Sequence, residues 1–145
     1  MKKALQGATL LMSMIGAGEA AALEWMNNSV GFRYGKEFTN PNNPHYISKR
    51  IYSFTHASGY QYGSNYLHLD VLLSDNDDPR KGTNKGSSEV YGVYRHQLYS
   101  SRVLDTPLGT GLIKDYALTM GFDASRNNNL GSAKKRALVL SLIHI

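Results

Sequence analysis

Hydrophobic positions recur at every second residue through Tyr66–Leu73, where Leu67, Leu69, Val71 and Leu73 share one side of an extended chain and Tyr66, His68, Asp70 and Leu72 share the other. A period of two marks a strand with one apolar and one polar face. Lys114–Ala124 alternates as cleanly, with Tyr116, Leu118, Met120, Phe122 and Ala124 against Asp115, Ala117, Thr119, Gly121 and Asp123. Ser29–Gly35 predicts a first strand with Val30, Phe32 and Tyr34 on its apolar side. Glu89–Tyr99 predicts another, with Glu89, Tyr91, Arg95 and Gln97 on one parity, although His96 interrupts the apolar one. Lys49–Tyr62 also predicts a strand, but Tyr52, Phe54, Tyr60 and Tyr62 share their parity with Arg50, His56 and Ser58, so its faces stay unassigned. Lys135–Val139 opens a sixth strand.

The punctuation is polar. Lys36–Ser48, with two prolines that cannot donate to a sheet ladder, and Ser74–Ser87, with Asp75, Asp77, Asp78 and Pro79, predict long loops. Gly63–Asn65 predicts a short turn, Ser100–Gly111 a turn region and Ser125–Lys134 a polar loop. Long and short connections therefore tend to alternate, with Ser100–Gly111 longer than that rule asks.

The first 22 residues differ in kind. Met1-Lys2-Lys3 precedes a mostly apolar run over Ala4–Gly18 and the small residues Ala20-Ala21-Ala22, the pattern of a secretory signal peptide cleaved after Ala22. The run is shorter than the roughly 20 residues a membrane-spanning helix needs. At the other end, 140–145 (Leu-Ser-Leu-Ile-His-Ile) resembles the translated end of a transposase adapter used in sequencing libraries. A non-native tail and a natural chain continuing beyond Val139 are therefore expected. Six strands alone would also leave two long unpaired edges, which proteins avoid.

Composition narrows the choices. The chain has 16 Lys+Arg against 11 Asp+Glu, a formal charge of +5, spread without the basic stripe that nucleic-acid binding needs. With no cysteine, a disulfide framework and a thiolate metal site are both excluded. Ten Tyr and 14 Gly favour strands and turns. An exported, strand-rich chain with no spanning helix enters a membrane only as a closed sheet, because hydrocarbon leaves no partner for an unpaired backbone amide. The expected fold is thus an antiparallel, all-β transmembrane barrel over 23–139, with apolar rows toward lipid and polar rows toward a lumen. A soluble periplasmic β-domain, possibly sugar-binding, is the alternative.

Laid out in this order, Glu24-Trp25 through Ser29–Gly35, Tyr52–Phe54 with Tyr66–Leu73, Ser88–Ser100 and Asp115–Arg126 resemble the nucleoside-specific channel-forming family of Gram-negative outer membranes, the Tsx type. The resemblance implies about the first six strands of a twelve-stranded barrel. It also implies a narrow channel lined by aromatic and ionisable side chains, outer-membrane lipid and a nucleoside as partners, and a second half supplied by further chain.

The lumen parity supplies Arg33, Tyr66, His68, Asp70, Glu89, Tyr91, Arg95, Asp115 and Asp123 as candidate substrate-binding residues. Weak, repeated contact with a solute needs aromatic faces and hydrogen-bonding groups but no catalysis and no cofactor. Of these, Tyr66, Tyr91 and Arg95 are the favoured ligand contacts, and the remaining charges can equally pair across the lumen. His68 and Asp70 also invite a catalytic reading, a barrel lipid hydrolase, but two-residue spacing is what any strand face gives. The acidic run Asp75, Asp77, Asp78 lacks the spacing of a calcium loop. The expectation is a non-enzymatic outer-membrane channel, with a general or structural barrel as its nearest alternative.

Overall fold

The computed structural model describes residues 23–41, 43–106 and 108–145; the predicted leader, 1–22, lies outside them. Six strands form one antiparallel sheet in sequence order: β1 (Leu23–Phe38), β2 (Ile47–Tyr60), β3 (Gly63–Ser74), β4 (Ser88–Tyr99), β5 (Tyr116–Asn127) and β6 (Lys134–His144). The one helix among the described residues is a single turn, α1 (Ser100–Val103). Every strand pairs only with its sequence neighbours, so the sheet is open, with β1 and β6 at its edges and, among the described residues, no second layer over either face.

Register brings the separate alternations into one pattern, because residues directly opposite in an antiparallel pair share a face. Val30 and Phe32 stand opposite Phe54 and Tyr52, which stand opposite Leu69 and Val71. Leu67 meets Tyr94, Tyr94 meets Phe122 and Phe122 meets Leu138. One apolar face therefore runs across all six strands, and β2, ambiguous in sequence, places Tyr52 and Phe54 within it. Among the described residues nothing covers that face: Val30 is 85% exposed, Phe32 61% and Leu138 93%. The buried hydrophobic side chains among the described residues, Ile47, Ile51 and Ala117, all lie on the opposite parity, the polar face.

The strands are also staggered. Along the rows of paired residues, the loop-side ends drop by five residues between β2 and β6 and the turn-side ends by two. With strands about 4.8 Å apart and about 3.4 Å per residue, the stagger corresponds to a tilt of roughly 30°.

The strands that run furthest beyond what their alternation indicated are β1 and β6, while β5 extends three residues into the predicted polar loop and β3 starts three residues early. β1 begins at Leu23, six residues before the predicted start; Asn27-Asn28 and a register shift between Leu23 and Trp25 mask the pattern. The indole of Trp25 lies against Gly59 on β2, in the space a Cβ there would need. β6 continues through Leu140, Leu142 and His144, opposite Met120, Leu118 and Tyr116, with its alternation unbroken. The turn predicted at Gly63–Asn65 falls two residues earlier, at Gln61-Tyr62, and Gly63 already pairs in β3.

His96, which breaks the apolar parity of β4, is satisfied locally. Its Nδ1 lies 2.8 Å from Asn65 Oδ1 and its Nε2 3.0 Å from the Tyr60 hydroxyl, while Tyr94 donates to the same Asn65 oxygen. His56 is similarly held between Asn28 and Ser58. These polar groups form a band toward the tight-turn end of the apolar face, paired among themselves.

At the opposite end one carboxylate joins three loops. Asp78, 5% exposed, accepts hydrogen bonds from Ser74 Oγ at 2.9 Å and Ser87 Oγ at 2.6 Å, and from the amides of Asn40 and Asn129. Burial alone would push its pKa up, but the Ser87 and Ser74 hydroxyls, Asn129 and the nearby Lys49 charge outweigh it and hold the carboxyl below its usual range. A lowered pKa stabilises the fold at pH values above the ordinary carboxylate value and loses that contribution as pH falls through the lowered one. The three loops are therefore expected to loosen only below about pH 4. Asp78→Asn should loosen them at neutral pH and remove that acid step; limited proteolysis across a pH series reads both, and an unchanged cleavage pattern would deny Asp78 this role.

Candidate functional site

On the polar face the ladder spaces side chains about 5 Å apart, so charges on neighbouring strands meet as pairs. Arg33 of β1 reaches diagonally across β2: its Nη2 donates to Ser53 Oγ at 3.0 Å and to Asp70 Oδ2 at 3.2 Å. Ser53 Oγ donates to the other Asp70 oxygen at 2.5 Å. His68 Nε2 lies 3.2 Å from that same oxygen, and its Nδ1 lies 2.8 Å from Thr55 Oγ1. Arg33, Ser53, Asp70, His68 and Thr55 thus form one network over three strands.

A second pair lies further along. Arg95 Nη1 donates to Asp123 Oδ1 at 2.6 Å and to the carbonyls of Tyr94 and Phe122. Gly121 stands directly opposite Arg95, and its missing side chain leaves the space that the arginine stem crosses to reach β5. Below, Ser64, Gln97, Tyr99 and Thr119 continue the polar surface by hydrogen bonds among themselves.

Between the two charged groups stand two aromatic rings. Tyr91 is directly opposite Asp70, and Tyr66 directly opposite Arg95. They are 38% and 41% exposed, which leaves their faces open to the space in front of the sheet. Glu89 shares this face, opposite Leu72, nearer the loops.

Eight of the nine sequence-chosen residues therefore share one surface. Asp115 does not join them: it precedes β5 and turns back to α1, where its oxygens accept from Ser100 Oγ at 2.5 Å and Ser101 Oγ at 2.6 Å. Those two hydroxyls, with the backbone N–H groups of Tyr116 and Ser101, hold its pKa down at about 2. Its role is to cap the β4–β5 connection. Sequence reasoning missed Ser53 and Thr55, because the parity of β2 was unreadable without its register against β3.

Ser53 bonds to Asp70 and so lacks the imidazole partner a nucleophile needs. Thr55 does face His68, but the surrounding amides are spent on the β2–β3 ladder, leaving no pair of backbone donors aimed at a developing oxyanion. Among the described residues, no group of three or more His, Asp or Glu side chains is placed to hold a metal ion. Comparison with protein families, with characterised proteins and with solved structures gave no match to this chain.

Proposed function

We propose that this sheet is part of an outer-membrane β-barrel whose polar face lines a channel for passive uptake of small solutes, with nucleosides as the solute class. The observation that carries the reading is the uncovered apolar face running through every strand, backed by a polar face of paired charges. A monomer in water rarely exposes a contiguous apolar patch beyond a few hundred Å², whereas acyl chains supply the missing layer. The stagger of the strands supports the same reading, since closed barrels tilt their strands by about 35–45°. Closure needs more strands than these six, on the free sides of β1 and β6.

Nucleosides suit the polar face because it offers two open phenol rings beside an Arg–Asp pair and an Arg–Asp–His network: flat surfaces for a base, with donors and acceptors for its edges and the sugar. The resemblance to the Tsx-type channels points to the same solute class. The full-length protein, with the strands that close the sheet, refolded into planar bilayers should give a small conductance that millimolar adenosine or thymidine reduces. Conductance insensitive to nucleoside would leave a general or structural barrel, and recovery from cells in detergent-free periplasmic extract would remove the barrel altogether.

A further inference from the structure

The loop end of the apolar face carries positive charge with nothing opposite it. Arg126 of β5 and Lys134 of β6 are direct partners in register, on the parity of Phe122 and Leu138. Like charges so placed weaken a strand pair unless an anion sits between them. The long β3–β4 loop adds two more cations to the same spot. Arg80 forms a bridge to Asn129, and the Lys81 N–H donates to the Asn128 carbonyl at 3.0 Å, which fixes both residues over the β5–β6 turn. Arg80, Lys81, Arg126 and Lys134, with Asn127 and Asn128, line a cleft of about 530 Å³ that has no acidic residue in its wall. Among the described residues, none of the four cations enters an ion pair.

The apolar face begins at the next paired row below the cleft, since Ala124 and Arg136 follow Arg126 and Lys134 on the same parity. Two residues along β6, Arg136 stands opposite Ala124, at the head of a groove of about 430 Å³ between β5 and β6 whose wall includes Phe122, Ala124, Ala137 and Leu138. The one carboxylate in that wall, Asp123, is already paired with Arg95. A charged cleft above an oily groove matches an amphiphile whose anionic head and hydrocarbon tail are covalently joined.

We propose that this surface binds a phosphorylated lipid, its phosphate held by Arg80, Lys81, Arg126 and Lys134 and one acyl chain lying along the groove beneath Arg136. The inference rests on the membrane-barrel reading and deepens it, because it places the loop end of the barrel in a leaflet rich in phosphate-bearing lipid. Arginine forks and lysine ammonium groups are the side chains that match phosphate oxygens. A free phosphate would use the cleft but not the groove, and the placement of the two on successive rows of β5 and β6 selects the lipid.

The test uses the protein refolded into phosphatidylcholine vesicles with and without phosphatidic acid, then exchanged into mild detergent and weighed intact by native mass spectrometry. Wild type should retain phosphatidic acid in preference to phosphatidylcholine, and the retention should weaken as salt rises. R126Q/K134Q, which relieves a like-charge pair and so should fold at least as well, should lose about tenfold or more of that retention. Lys114→Gln, at the other end of the sheet, should lose none. Equal retention by R126Q/K134Q, or full displacement of the lipid by millimolar inorganic phosphate, would overturn the proposal while leaving the barrel in place. A wild type that stays in solution without detergent would overturn the barrel reading itself.

Discussion

Leu69→Arg is expected to cost about 2–4 kcal/mol of folding stability in a bilayer, the penalty for a guanidinium facing mid-membrane lipid. Val93→Arg, one strand away at nearly the same height, should cost under about 1 kcal/mol, because a side chain facing an aqueous passage keeps its hydration. The two positions are neighbours, since Leu69 pairs with Gly92 and His68 with Val93, and they differ in the face they occupy. The contrast therefore isolates which side of the sheet meets hydrocarbon from any general intolerance of arginine in a strand. Urea titration in lipid vesicles, followed by fluorescence of the single tryptophan, Trp25, reads both variants. Equal penalties would mean that neither face is privileged. The reverse order would put the polar network in lipid and is incompatible with a channel.

The same contrast explains what was legible in the chain before its fold. Alternation over Tyr66–Leu73 and Lys114–Ala124 grouped the faces correctly because the paired part of each strand keeps one parity free of charged side chains, with Leu72 and Ala117 as the apolar exceptions on the other. β2 resisted since Arg50, His56 and Ser58 share a parity with Tyr52 and Phe54. Only pairing distinguishes them: Tyr52 and Phe54 meet Val71 and Leu69 within the apolar field, whereas His56 is bonded to Asn28 and Ser58 in the polar band. Face assignment is a property of one strand, but satisfaction of a polar group is a property of its neighbours.

Nonlocal geometry also decided which site residues came together. Asp115 has the parity of a polar-face residue, yet two adjacent serines at the end of β4 offer its carboxylate three donors, and it caps a connection instead. The basic cleft was invisible for the same reason: Arg80-Lys81 lie in one loop and Arg126 and Lys134 on the two strands that flank another, and their charges look evenly spread along the chain until a bridge from Arg80 to Asn129 joins them. Neither signal could be found by periodicity, because each depends on a contact between segments distant in sequence.

Replacing Tyr66 and Tyr91 together by alanine is expected to raise the nucleoside concentration needed to block conductance by about tenfold to a hundredfold, since stacking of a base on an aromatic ring is worth about 1–3 kcal/mol. Each ring has an open face and a charged neighbour directly opposite, Asp70 for Tyr91 and Arg95 for Tyr66, so a base stacked on either lies within reach of hydrogen-bonding groups. The open-channel conductance should rise slightly or stay level, because the substitution widens the passage without altering its charge. Tyr52→Ala provides the matched loss of a phenol on the apolar face and should leave the block unchanged. If Y66A/Y91A blocks as readily as wild type while Asp70→Asn does not, recognition rests on the paired charges and the rings are merely lining. If neither alters the block, the solute binds elsewhere, and the network of Arg33, Asp70 and His68 serves only to knit the inside of the sheet together.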